Sequence, residues 1–123
     1  MRARLTVLAN EHRPIELALD RLGETVAAGQ IDAGLLRSVG DSIAKHYANE
    51  EEFLIELYVH DPALAAKLRA QHDEVLEIAS RLEESLLAGK DGDAAYLCRR
   101  LVAMAQHNMI EEERDVFPLA SSF

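Results

Sequence analysis

The chain has 123 residues, 49% of them hydrophobic and 28% charged, with a formal net charge of −9. This length supports one core, so we predict a single domain over residues 1–123. The acidic balance argues against a nucleic-acid or anionic-membrane partner, because no basic stripe is present to meet phosphates. The single cysteine, Cys98, cannot form an internal disulfide, and no apolar run reaches the roughly 18 residues of a membrane span. We therefore expect a cytoplasmic protein.

Turn and cap residues divide the first half of the chain into two predicted helices. The first ends at Gly29, and Pro14 is expected to kink this helix or to delay its start. Asp32 is the expected N-cap of the second helix, which ends at His60.

The second half divides in the same way. Asp61 is an N-cap followed by Pro62 at the first helical position, and the third helix ends in the turn at 89–92. Asp93 is the expected N-cap of the fourth helix, which Pro118 closes.

Each predicted helix carries an apolar seam at steps of three and four residues, which is typical of helices packed nearly antiparallel. Short loops favour an up-down-up-down order. We therefore predict an all-α, antiparallel four-helix bundle. In the fourth helix, where the seam is less regular, it follows Leu97, Leu101, Met104, His107 and Glu111.

The second half of the chain repeats the first. Segments 46–52 and 107–113 share the pattern His-x-x-x-Glu-Glu-Glu, 61 residues apart, and His12 and His72 lie 60 residues apart in similar surroundings. Two similar helical hairpins imply a pseudo-twofold bundle with the polar seam residues near its axis.

Six polar side chains interrupt the seams. Measured along the helices from the turns, all six fall within a slab of about 6–8 Å. They are His12, His46, Glu50, His72, His107 and Glu111.

This set of side chains indicates a metal centre. In the pairs His46/Glu50 and His107/Glu111, the spacing of four residues places both side chains on one helix face. Each histidine can then ligate one metal while the glutamate bridges two, and the cations offset the cost of burying the carboxylates. Mixed nitrogen and oxygen donors suit iron, with zinc or manganese as competitors.

These residues are where the chain resembles the hemerythrin/HHE cation-binding family. The matching segments are Asn-Glu-His12-Arg-Pro-Ile, His46-x-x-x-Glu50-Glu51, Gln-His72-Asp-Glu-Val and His107-x-x-x-Glu111-Glu112-x-x-x-Phe-Pro118. The resemblance covers essentially the whole chain. It implies a di-iron centre, two iron ions that meet dioxygen, peroxide or nitric oxide.

The chain departs from the oxygen-carrying hemerythrins it resembles, which have two histidines four residues apart on helix 3. Here His72 has Leu68 and Leu76 at those offsets. Six protein ligands then serve two metals and leave positions for a small exogenous ligand. We hypothesise that reduced iron here is readily oxidised by oxygen, peroxide or nitric oxide, in place of strict reversible oxygen carriage.

We do not expect the other polar residues to be metal ligands. His60 is expected on the surface, and Cys98 is expected to pack as a small residue. The glutamates after each motif are expected on a solvated face, although Glu51 or Glu112 could support a ligating histidine from outside.

Three functions are consistent with this pattern. The leading one is a non-haem di-iron protein that binds or senses oxygen or reactive oxygen and nitrogen species. The second is an enzyme that consumes peroxide or nitric oxide. The third is an interaction module stabilised by metal, and its protein partner is unknown.

Overall fold

A computed structural model describes residues 2–123 of the chain and is helical throughout that range apart from short turns. The elements are α1 (Arg2–Ala27), α2 (Ala33–Asn49), α3 (Glu51–His60), α4 (Pro62–Leu87), α5 (Asp91–Glu111), a π-helical segment (Glu112–Val116) and α6 (Phe117–Ala120). They form four rods, because α3 continues α2 and the last three elements follow one another without a loop. The predicted all-α bundle is confirmed. No helix within residues 2–123 is both long and apolar enough to cross a membrane.

Three of the predicted helix boundaries follow the local chemistry of the chain. The carboxylate of Asp32 accepts a hydrogen bond from the N–H of Leu35 at 3.0 Å, and that of Asp61 accepts one from Leu64 at 3.1 Å. Gly29 follows the end of α1 with φ of 81°, a conformation that favours glycine.

One predicted helix start is wrong, and one of the two effects expected of Pro14 is absent. The fourth rod begins at Asp91, before the predicted cap Asp93, because the carbonyl of Lys90 already accepts a helical hydrogen bond from Ala94 at 2.9 Å. Pro14 does not delay α1, which is helical from Arg2 through to Ala27.

The core consists of two apolar clusters with a polar layer between them. On α1, His12 lies between Leu8 of the smaller cluster and Ile15 of the larger. On α4, His72 lies between Leu68 and Val75 in the same way. The apolar packing above and below therefore fixes the height at which these histidines enter the core.

The fourth rod turns a different face inward from the one predicted. Beyond Leu101, its most buried seam residues are Ala105, Asn108, Glu112 and Val116, each at most 1% exposed. The observed seam departs from the predicted one after Leu101: Met104 and Glu111 are partly or largely buried beside it, but the side chain of His107 is 68% exposed. The chain takes a step of four residues after Leu101 where three were expected. One residue of difference rotates the inward face by about 100°.

Two rods are irregular where a carboxylate enters the polar layer. The second rod is interrupted at Glu50, whose N–H is shared between the carbonyls of His46 and Tyr47 at 3.1 and 3.2 Å. The fourth rod changes from α to π geometry at Glu112, whose carbonyl accepts from the N–H of Phe117. π turns such as the one at Glu112 are frequent at functional sites.

Candidate metal centre

A compact group of four buried side chains occupies the polar layer. His12 comes from α1, His46 from α2, Glu50 from the junction of α2 and α3, and Glu112 from the π segment. One donor atom from each of these four lies within 4.8 Å of the other three. None of the four residues is more than 3% exposed.

His72 of α4 completes the group. Its Nε2 lies 2.9 Å from Oε2 of Glu112 and 3.3 Å from Oε2 of Glu50. The cluster therefore receives a side chain from every rod.

In both Glu50 and Glu112, one carboxylate oxygen faces the pair His12 and His46, and the other faces His72. Oε1 of Glu112 lies 3.1 Å from Nε2 of His12, and Oε1 of Glu50 contacts Nε2 of His46. Both Oε2 atoms face His72. The donor atoms thus form one group around His12 and His46 and a second group around His72, and both carboxylates are shared between them.

The two imidazoles of the first group face each other. Nε2 of His12 lies 3.0 Å from Nε2 of His46. Their outer nitrogens meet carboxylates: Nδ1 of His12 is 3.1 Å from Glu113, and Nδ1 of His46 is 2.8 Å from Glu11. Because an ionised carboxylate only accepts hydrogen bonds, each Nδ1 carries the proton and donates it. In neutral imidazoles the two inner lone pairs then point at each other, an arrangement that needs a proton or a metal cation between them.

The electrostatics of the cluster favour positive charge. Burial lowers the pKa of His12 and of His46, but contacts with the carboxylates of Glu112 and Glu50 outweigh it and raise these pKa values to about 9 and about 10. Burial raises the pKa of Glu112, but hydrogen bonds from the histidines outweigh it and hold this pKa well below its usual range. A site that binds protons this strongly also attracts metal cations, which compete for the same nitrogens.

The environment of Glu50 shows whether the cluster residues suit a metal cation. Both of its carboxylate oxygens are buried, and neither accepts a hydrogen bond within residues 2–123. His46 and His72 approach them closely enough for ion pairs, but without hydrogen-bond geometry. A buried carboxylate without hydrogen bonds is costly unless a cation compensates it. The donor set of imidazole nitrogens and carboxylate oxygens is one that iron accepts, so the residues fit a metal centre.

The structure brings four of the six sequence-predicted residues together: His12, His46, Glu50 and His72. Glu111 points toward α4, where its oxygens accept hydrogen bonds from Lys67 at 2.6 Å and from Gln71 at 3.1 Å. His107 lies outside the cluster, with Nε2 3.3 Å from Glu111. Both residues are turned away from the centre by the one-residue difference in the seam of the fourth rod.

Sequence reasoning missed three functional candidates. Glu112, expected on a solvated face, is fully buried in the cluster. Glu11 and Glu113, both within hydrogen-bond distance of cluster histidines, support the cluster from outside. The sequence signal for the burial of Glu112 is the apolar pair Ala105 and Val116, which lie on the same helical face as Glu112.

The internal repeat has a different offset from the one that the histidines suggest. In the sequence, Glu112 follows Glu50 by 62 residues. The residue that follows His46 by the same distance is Asn108. Asn108 is 1% exposed, and it precedes Glu112 by four residues as His46 precedes Glu50. The position equivalent to His46 is therefore occupied by an amide.

The cluster does not border the groove between α2 and α4. This groove has a volume of about 390 Å³, and its walls include Leu36, Leu76 and Leu86 but none of the cluster residues. His12, Glu50 and Glu112 are completely enclosed. Whatever reaches the centre must pass through packed side chains.

The chain belongs to the hemerythrin HHE cation-binding domain family, whose model matches residues 4–120. The fold and the buried histidine and glutamate cluster agree with a domain that binds a metal cation. No curated protein and no solved structure matches the chain significantly.

Proposed function

We propose that this protein holds two iron ions between His12, His46 and His72 and the carboxylates of Glu50 and Glu112, and that it binds or senses dioxygen, peroxide or nitric oxide there. The observation that carries the proposal is that each carboxylate has one oxygen toward the pair His12 and His46 and the other toward His72. A carboxylate with one oxygen toward each group is suited to bridge two metals. A single cation could not use both groups equally.

The donor set supports iron over zinc. Structural zinc sites are commonly closed, tetrahedral and rich in cysteine, whereas this centre offers histidines and shared carboxylates. Iron in such a centre would supply redox chemistry and coordination positions for a small ligand. The protein would contribute the orientation of the imidazoles, the exclusion of bulk water and the negative charge that keeps the cations in place.

Burial supports a ligand of two or a few atoms. His12, Glu50 and Glu112 are completely buried, and His72 is 4% exposed. A larger substrate would require the rods to separate, whereas a diatomic molecule or peroxide can reach a buried site through small packing fluctuations. This argument favours oxygen, nitric oxide or peroxide over an organic substrate.

The first test is iron content after anaerobic loading with ferrous iron, compared between Glu112→Gln and Glu111→Gln. These neighbouring glutamates differ in that only Glu112 lies in the cluster. We expect about two irons per chain in the parent and in Glu111→Gln, and at most one in Glu112→Gln. One zinc, or no iron after loading, would overturn the proposal in favour of a structural module.

The second test concerns the ligand. Reduced, loaded protein should change its visible absorption on exposure to oxygen or nitric oxide, while metal-free protein should not. Steady-state consumption of peroxide or nitric oxide would assign the centre to an enzyme, and a single stoichiometric reaction would assign it to a binding or sensing protein. No spectral response to any of the three ligands would contradict both.

A further inference from the structure

We infer that the face formed by α2 and α4 is the contact surface of a symmetric dimer, in which Leu87 of each copy fills the groove of the other. The groove has a volume of about 390 Å³ and lies between these two helices, over the larger apolar cluster. This inference concerns the surface of the bundle and does not depend on the proposed metal centre.

The groove presents an apolar surface with room for a side chain. Leu36 of α2 is buried, and Leu76 and Leu86 of α4 lie partly buried against the larger cluster. Gly40 leaves space on the α2 side, because a Cβ atom placed there would meet no atom within 4 Å. Contiguous apolar surface of this kind often marks a site of contact with another molecule.

Leu87 supplies an apolar side chain for such a contact. It lines the groove and is 84% exposed, more than any other large hydrophobic residue within residues 2–123. Because the exposed leucine and the groove belong to the same face, two copies can cover each other around a twofold axis. A contact of this type closes at two chains.

The positions along the two helices agree with such an axis. α2 and α4 run antiparallel, so residue numbers rise in opposite directions along the groove. Arg37 and Glu83 face each other across it, with 3.9 Å between Nη2 and Oε1. From this level Gly40 lies three residues along α2 and Leu87 lies four residues along α4, which is about 5 Å to either side. A twofold axis at this level therefore places Leu87 of one copy beside Gly40 of the other.

The charges at the same level are self-complementary. Arg37 is a base and Glu83 is an acid, and both side chains are largely exposed. The twofold axis brings Arg37 of each copy opposite Glu83 of the other, so that bases and acids alternate around it. Complementary charges of this kind fix the orientation of a contact more than they increase its affinity.

Disulfide cross-linking tests the geometry. Gly40 and Leu87 of one chain lie about 10 Å apart along the helix axes, which is too far for a disulfide bond. In a Cys98→Ala background, the double variant Gly40→Cys/Leu87→Cys should form a covalent dimer under mild oxidation, and each single variant should remain a single chain. Equal cross-linking in the single and double variants would overturn the inference.

Sedimentation equilibrium tests the dimer without cross-links. The parent should have twice the mass of one chain at high micromolar concentration, and Leu87→Glu should raise the dissociation constant by about 10-fold or more. Leu17→Glu is the matched control, because Leu17 is also an exposed leucine, at 72%, but lies on α1 outside the groove. It should leave the dissociation constant unchanged.

A charge exchange tests the orientation of the two copies. Arg37→Glu should weaken the dimer, and Arg37→Glu/Glu83→Arg should restore it, with helical circular dichroism unchanged in both variants. A parent that stays monomeric at millimolar concentration would overturn the inference and leave the groove to a different molecule. A dimer that Leu87→Glu does not weaken would show that the copies meet through another surface, and it would overturn the inference as well.

Discussion

The ring of Tyr47 lies parallel to the imidazole of His72, with 3.8 Å between ring centroids and 8° between ring planes. Tyr47 is 6% exposed, and its hydroxyl donates to Asn108 at 3.3 Å. The stack fixes the plane of the histidine that has no outer hydrogen bond to a carboxylate. Tyr47 therefore orients the imidazole of His72 by packing. Glu11 and Glu113 orient the other two imidazoles by hydrogen bonding.

Replacement of Tyr47 separates the role of the ring from that of the hydroxyl. Tyr47→Ala removes the stack and leaves a cavity, so we expect it to destabilise the protein by about 3–5 kcal/mol and to lower its metal content. Tyr47→Phe keeps the stack and loses one hydrogen bond, at a cost of about 1 kcal/mol. Urea unfolding and metal content measure the two effects. If Tyr47→Phe lowered metal content as much as Tyr47→Ala, the hydroxyl would be the important group.

His72 and His107 form a matched pair of substitutions to alanine. His72 has Nε2 within 3.3 Å of both shared carboxylates, whereas the side chain of His107 is 68% exposed and contacts Glu111. We expect His72→Ala to lower iron content well below that of the parent and His107→Ala to leave it close to the parent value. Elemental analysis of both proteins after identical ferrous loading provides the measurement. A large loss of iron in His107→Ala would show that the fourth rod presents the sequence-predicted face when metal is bound.

The metal-free protein should lose stability as the pH rises. Burial lowers the pKa of His12 and of His46, but the carboxylates of Glu112 and Glu50 raise them to about 9 and about 10 in the folded protein. Since both values lie above the usual 6.5, protonation stabilises the fold fully below about pH 6.5. That contribution is lost as the pH rises through about 9 to 10.

The midpoint of urea unfolding at pH 6.5 and at pH 10 checks this dependence. In Glu112→Gln the same histidines lose an ion-pair partner, so the change in midpoint between the two pH values should be smaller. With iron bound, the dependence should reverse in sign, because protons then compete with the metal for the histidines. Equal midpoint changes in the parent and in Glu112→Gln would show that other groups control the alkaline loss.

The sequence was sufficient to predict the fold and the inward positions of His12, His46 and His72. Asp61 and Pro62 form a strong helix start, and the apolar neighbours of His12 and His72 continue without interruption on both sides. These local signals fix both the helix boundaries and the inward face, which is why the structure confirms them.

The face of the fourth rod could not be decided by the same means. After Leu101, Met104 and Ala105 are both apolar, so the seam can continue by three residues or by four. The first choice leads to His107 and Glu111, and the second to Asn108 and Glu112. Packing along the whole rod selects the second, and the π turn that carries Glu112 has no clear marker in the sequence.

Two adjacent pairs of residues connect the buried cluster to the carboxylates that support it from outside. In Glu11-His12 and Glu112-Glu113, one member enters the cluster and its neighbour holds a histidine on another rod. Each pair therefore places a cluster side chain and a supporting carboxylate at consecutive positions of the sequence. Reversing the order of Glu11 and His12 would keep the composition and charge of the chain, yet it would disturb the contacts of two rods with the cluster at once. A designer transferring this centre to another bundle should move each dipeptide as a unit.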